Sequence, residues 1–131
     1  MMPRLFREAP VNAIWEGSGN VMCLDVLRAL GHDARTALVA LAEEAADLPG
    51  ARAALDVIAR AAAAEDAEGE ARAAVDRLAL LAAGTILRAH APPAVADAFI
   101  ATRLQGPVHH TYGQGLEGAD TRAIVDRAWP G

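Results

Sequence analysis

Between Gly19 and Leu104 the apolar residues recur every three or four positions in consecutive blocks, each closed by a glycine, a proline or a charged patch. That rhythm constrains the fold more than any other feature. A spacing of three and four puts side chains on one face of an α-helix, whereas a half-buried strand needs alternation. Val21, Leu24, Leu27 and Leu30, with Val26 widening the stripe, predict a helix from about Gly19 to Leu30, and Gly31 stands where a helix usually ends. Asp33 is placed to cap the next helix, which runs to about Ala46 with Leu38, Leu41 and Ala45 on one face before Leu48-Pro49-Gly50 stops it. Ala51 to Ala64 carries Leu55, Ile58, Ala59 and Ala62 at helical spacing. The acidic patch Glu65-Asp66-Ala67-Glu68-Gly69 reads as a short connection, so the following helix, from about Glu70 to Ala91, is expected to lie antiparallel. Val75, Leu78, Leu81, Ala82 and Leu87 keep its period, and Gly84 marks a place where another helix comes close. Pro93 opens a helix with Val95, Phe99, Ile100 and Leu104 on its inner side, closed by Gly106-Pro107. Val108 to Asp120 has no period and reads as a surface loop, after which Asp120 or Thr121 caps a final short helix through Ala128.

The fold class that follows is all-α, an antiparallel bundle of about five to six helices. Alanine supplies 33 of the 131 residues and aromatic residues only 4%, so the helices are expected to pack closely on small side chains rather than on large anchors. The length suits one core. Net charge is -5, with 12 arginines and no lysine, which argues against a free-standing nucleic-acid binder. The single cysteine, Cys23, has no internal disulfide partner and reads as a small buried hydrophobe beside Met22 and Leu24. No segment is apolar for long enough to span a bilayer and the start Met1-Met2-Pro3-Arg4 has no secretion pattern, so no membrane partner and a cytoplasmic location are expected. His32, His90, His109 and His110 lack helical pairing at i,i+4 or a Cys/carboxylate cluster, and no metal site is expected.

One stretch carries chemistry. In Arg7 to Leu30 a carboxylate, Glu16, lies between the bulky pair Ile14-Trp15 and the small polar run Gly17-Ser18-Gly19-Asn20. A carboxylate beside an indole is partly desolvated, which disfavours its charged form and suits an acid that takes up a proton at neutral pH. Gly17 and Gly19 let backbone approach a ligand, and Ser18 is placed to cap the helix beginning near Gly19. From the residues alone, the favoured reading of Glu16 is an exposed loop glutamate whose charge suits the helix dipole, with the glycines a plain turn before an N-cap.

The same stretch resembles the carboxyl-terminal part of the flavin-dependent acyl-CoA dehydrogenases. In that family an Arg-Asp/Glu-Ala entry precedes an Ile-Tyr-Glu-Gly-Thr loop; here the matching residues are Arg7-Glu8-Ala9 and Ile14-Trp15-Glu16-Gly17-Ser18. With Asn20-Val21-Met22-Cys23-Leu24-Asp25-Val26-Leu27-Arg28, the text is similar to the AidB-type, alkylation-response branch, and Ala94 to Leu104 resembles the extra helical domain of that branch. The resemblance implies that Glu16 is the base that removes the α-proton of an acyl-CoA while hydride leaves the β-carbon for FAD. It implies that Gly17, Ser18 and Asn20 help hold the flavin dinucleotide, Asn20 standing where the mainstream enzymes commonly have glutamine. It also implies a division into residues 1–31, a remnant of the family's carboxyl-terminal bundle, and 32–131, the extra helical domain. The chain then begins near the end of that bundle, so Met1 to Phe6 is the stub of a longer helix and Leu5 and Phe6 lack their packing partners. FAD belongs to the parent family and is not expected on this chain alone, and acyl-CoA is a substrate only of a complete enzyme. The partners implied are the missing flavin-binding domains.

Two other readings accompany this one. A stand-alone interaction or oligomerisation module would pair with a second copy through an apolar patch near Leu5, Phe6, Ile14 and Trp15. DNA binding, which the alkylation-response branch suggests, is not favoured by charge: between Asp33 and His90 six arginines face ten acidic residues.

Overall fold

The computed structural model describes residues 2–11, 19–32, 34–65, 67–107, 111 and 113–129. Among them there is no strand, and the molecule is an all-α bundle. The helices are α1 (Met2–Glu8), α2 (Gly19–His32), α3 (Arg35–Glu44), α4 (Ala51–Ala63), α5 (Ala67–His90), α6 (Pro93–Phe99) and α7 (Thr121–Ala128). α6 passes directly into a π-helical segment, Ile100–Gln105.

The centre is the hairpin of α4 and α5. α4 buries Ala51, Ala54, Ile58 and Ala61, and α5 buries Ala71, Ala74, Leu81 and Gly84. Nearly all of these are alanine or glycine, so the two helices pack with little side chain between them. Leu81, from the second half of α5, shares a cluster with Ala51 and Ala54 at the start of α4, the arrangement of antiparallel neighbours. Ala45 and Leu48 from the turn after α3, and Ile100 and Leu104 from the π-segment, complete that cluster, with Leu41, Leu55, Leu80 and Phe99 packed around it. Ile58 and Leu81 are the largest fully buried side chains.

Most helix ends fall near the punctuation in the sequence. Pro93 sits in the first turn of α6, and Asp120 caps α7 by accepting a hydrogen bond from the Ala123 N–H at 3.0 Å. Four differences are informative. α5 begins at Ala67, inside the acidic patch that reads as a connection, because Glu68 and Glu70 in a first turn are favoured by the helix dipole. α3 stops at Glu44, and Ala45 to Ala51 close tight turns in which Leu48 N–H donates to Ala45 O at 2.9 Å and Ala51 N–H to Leu48 O at 3.0 Å. α2 continues past Gly31 to His32; Asp33 lies outside the described residues, and the N-cap of α3 is Ala34, which offers no side-chain cap.

The fourth difference is the π-segment. Ile100 and Leu104 face the core as their spacing predicts, but the segment closes with a wide turn in which Gly106 N–H donates to Ala101 O at 3.1 Å. The Thr102 hydroxyl donates to Ala98 O at 2.7 Å. Such a back-bond does not by itself widen a helix, since Thr85 makes one to Leu81 O at 2.9 Å and α5 stays α-helical.

Candidate functional site

The residues that position the site begin with α2. Its helical period is realised in part, as a half-buried inner face of Cys23, Leu24, Val26, Leu27 and Leu30 packed mainly against α5, while Val21, expected on that face, is exposed in the first turn. Cys23 is therefore half-buried and free rather than fully enclosed. Gly19 opens the helix, as the sequence predicts, and no acidic side chain stands in the first turn.

Glu16, Gly17 and Ser18, with Ile14 and Trp15, lie outside the described residues. Asn20 is described. It is exposed on the first turn of α2, and its Oδ1 accepts a 2.5 Å hydrogen bond from Nε of Arg72, which is also exposed and lies in the second turn of α5. The two residues are 52 positions apart in sequence. A Cβ built on Gly19 meets nothing within 4 Å. The first turn of α2 is thus tied to α5 through the Asn20 amide.

Arg72 is the residue the sequence does not single out. It counts there only as one of six arginines in an acidic region, and no local motif marks it. Arg7 is exposed on the chain. His90 ends α5 in an exposed position, His109, His110 and Tyr112 lie outside the described residues, and no group of three or more His, Cys, Asp or Glu stands together among the described residues.

Six arginines sit against a carboxylate: Arg4 on Glu8, Arg28 on Asp25, Arg52 on Asp56, Arg77 on Asp76, Arg88 on Asp97 and Arg122 on Asp126. The exposed surface they occupy is mixed in sign. At the other end of α2, an open cleft of about 800 Å³ runs between α3 and α4, with Leu30, Leu38, Val39, Leu55 and Ile58 among its walls and Arg35 as its one charged residue. Among the described residues its lining includes no carboxylate, histidine or thiol. Among the described residues no helix is long and apolar enough to cross a membrane.

A stretch of 33 residues is 73% identical to "Putative acyl-CoA dehydrogenase AidB" of Escherichia coli (strain K12). The stretch covers 25% of this chain and 6% of that protein. No family model and no solved structure matches the chain.

Proposed function

We propose that this chain is the carboxyl-terminal helical part of a flavin-dependent acyl-CoA dehydrogenase of the AidB type, with Glu16 as its proton-abstracting base. The observation that carries the reading is the 73% identity over 33 residues to a protein named for that activity. The all-α fold supports it, as does the start of α2 at Gly19, directly behind the Glu16-Gly17-Ser18 run. On this reading residues 1–31 belong to the family's bundle and 32–131 to the extra helical domain.

The described part of the site fits a bulky anionic cofactor. Open space lies where a Gly19 side chain would stand, the Asn20 amide is exposed, and no acid occupies the first turn of α2 to repel a phosphate. FAD, when bound, supplies the hydride acceptor. Glu16 would take the α-proton of the thioester, for which it must be desolvated and correctly placed, and Gly17, Ser18 and Asn20 would contribute backbone and amide contacts. One loop and one helix end do not enclose a flavin, so the chain alone is colourless and unreactive toward acyl-CoA.

The test is a chimaera in which the E. coli relative's chain up to the matched stretch is followed by this chain. The purified 131-residue chain takes up no FAD, whereas the folded chimaera is yellow. Glu16→Gln retains FAD, while its reduction by acyl-CoA falls at least about 100-fold, the lower range for loss of a general base. A folded chimaera without FAD, or a Glu16→Gln variant reduced at the original rate, overturns the proposal.

One observation favours a second reading. Every described side chain from Pro3 to Val11 is exposed, including Leu5 at 50% and Phe6 at 80%, so no described side chain of α1 from Pro3 onward is buried. A seven-residue helix is not stable on its own, and Leu5 and Phe6 suit a partner surface, either the missing domains or a second copy. A concentration-dependent dimer lost in Phe6→Asp, measured by light scattering, favours the second copy; a monomer at all concentrations removes it. DNA is the least favoured partner, because the six ion-paired arginines are already matched by carboxylates.

A further inference from the structure

The way the bundle packs leaves the cleft between α3 and α4 open. α3 packs on α2 and α5 and α4 mainly on α5, while α3 and α4 scarcely touch. α3 carries Leu38, Val39 and Leu41 yet buries none of its residues fully, and Val39 is 52% exposed. On the facing wall Leu55 is half-buried and Ile58 is buried, with Ala59 and Ala62 adding little bulk between them. Apolar walls that meet water favour an occupant that removes them from it. At about 800 Å³ the cleft falls in the range of small-ligand sites, roughly 300–1,000 Å³. An α-helix with its side chains is about 10 Å across, so the same volume holds only roughly seven residues of helix, too few to be stable.

Charge selects the head of that small ligand. Arg35 is the one charged residue of the lining; it is exposed, and no ion pair or hydrogen bond joins its side chain to another described residue. Nor does its charge serve α3, because a cation in the first turn opposes the helix dipole. We propose that the cleft binds a free long-chain carboxylate, with its alkyl tail along Leu38, Val39, Leu55 and Ile58 and its head on the Arg35 guanidinium, whose planar fork matches a carboxylate. Leu30, where α2 meets the cleft, lies about 17 Å along the helix from Gly19, at about 1.5 Å per residue. The site is therefore separate from the Glu16 stretch and independent of the flavoprotein reading.

The experiment titrates octanoate, decanoate and dodecanoate, each below its micelle-forming concentration, into the 131-residue chain by calorimetry, with decanol as the uncharged counterpart. Each added methylene buried in the cleft should tighten binding about 4-fold. Decanoate should bind about 2–5-fold more tightly than decanol, as suits an exposed ion pair. Arg35→Gln should abolish that difference and keep the dependence on tail length. Val39→Asp puts an acid on the wall at a position already half in water, so the chain still melts close to the parent while decanoate affinity falls about 10-fold or more. No saturable binding in the millimolar range, an affinity indifferent to tail length, decanol bound as tightly as decanoate, or a folded Val39→Asp chain that binds as the parent does would each overturn the proposal. A dimer that Val39→Asp dissolves in light scattering would also overturn it, giving the cleft to a second copy. None of these results bears on FAD uptake by the chimaera.

Discussion

Gly50 gives the sharpest test of how the bundle is held. Its φ is +87°, and a Cβ built there falls 2.5 Å from the Leu104 carbonyl oxygen, 2.7 Å from the Leu104 carbonyl carbon and 2.8 Å from the Gln105 Cα. All three are backbone atoms of the π-segment, so no flexible side chain yields by rotating. Gly50→Ala meets two penalties: a left-handed backbone conformation costs a residue with a Cβ about 1–2 kcal/mol, and forcing a methyl into a filled space costs about 1–3 kcal/mol. The sum of about 2–5 kcal/mol is a large part of the ~5–15 kcal/mol that holds a domain together. For a chain of this length each kcal/mol moves the unfolding midpoint by about 3–5 °C. Thermal and urea unfolding followed by circular dichroism should therefore show Gly50→Ala melting roughly 6–25 °C below the parent, with the urea slope unchanged. A loss of only a degree or two would refute the close packing of the α3–α4 turn on the π-segment. A comparable loss in Gly84→Ala would show instead that the method does not separate the two sites.

Gly84→Ala is expected to act in the opposite sense. Gly84 is buried in the interior of α5, and a Cβ there meets Leu104, Ile100 and Leu48 side chains at 3.6–3.7 Å, ordinary contact distances. The gain in helix propensity is about 1 kcal/mol, and a raised midpoint in the same melts checks it. Asp120→Ala removes the side-chain cap of α7 and should cost about 1 kcal/mol; because Asp120 is exposed and α7 contains no buried residue, the loss should be read by faster amide exchange at Ala123 rather than by global melting.

The bundle was legible where one residue's chemistry decides one local event. Asp120 and Pro93 set helix starts through their own oxygen and ring. The inner face of α4 was legible only in part: Ile58 is buried as its spacing predicts, but Ala51, Ala54 and Ala61 are buried with it while Ala59 and Ala62 are exposed, because in an alanine-rich helix the apolar period does not say which alanines face the neighbour. What stayed hidden depends on partners distant in sequence or on terms the apolar pattern does not register. The start of α5 at Ala67 is exposed and acidic, so no apolar period reports it, although the dipole favours Glu68 and Glu70 there. Ile100 and Leu104 are four apart, a spacing that suits an α-turn and a slightly wider π-turn alike over six residues. Gly50 reads as a stop and Gly84 as a close approach. The structure reverses their weight: Gly50 is the position pressed against another segment's backbone, and Gly84 has room for a methyl.

The same distinction governs the candidate site. Asn20 enters the candidate site through the resemblance carried by the letters around it. Arg72 does not, because its role exists only once α5 lies along α2 and brings together residues 52 positions apart. Its neighbours in sequence, Ala71 and Ala73, say nothing about Asn20; Ala71 is buried and helps seat α5 in the bundle, and that seating aims the guanidinium. It follows that an effect on Asn20 can arise without touching it. Overfilling the seat with Ala71→Leu would displace α5 and stretch the Arg72 bond, so chain stability should fall by about 1–3 kcal/mol, read as a lowered unfolding midpoint; an unchanged midpoint would refute the tight seating of α5.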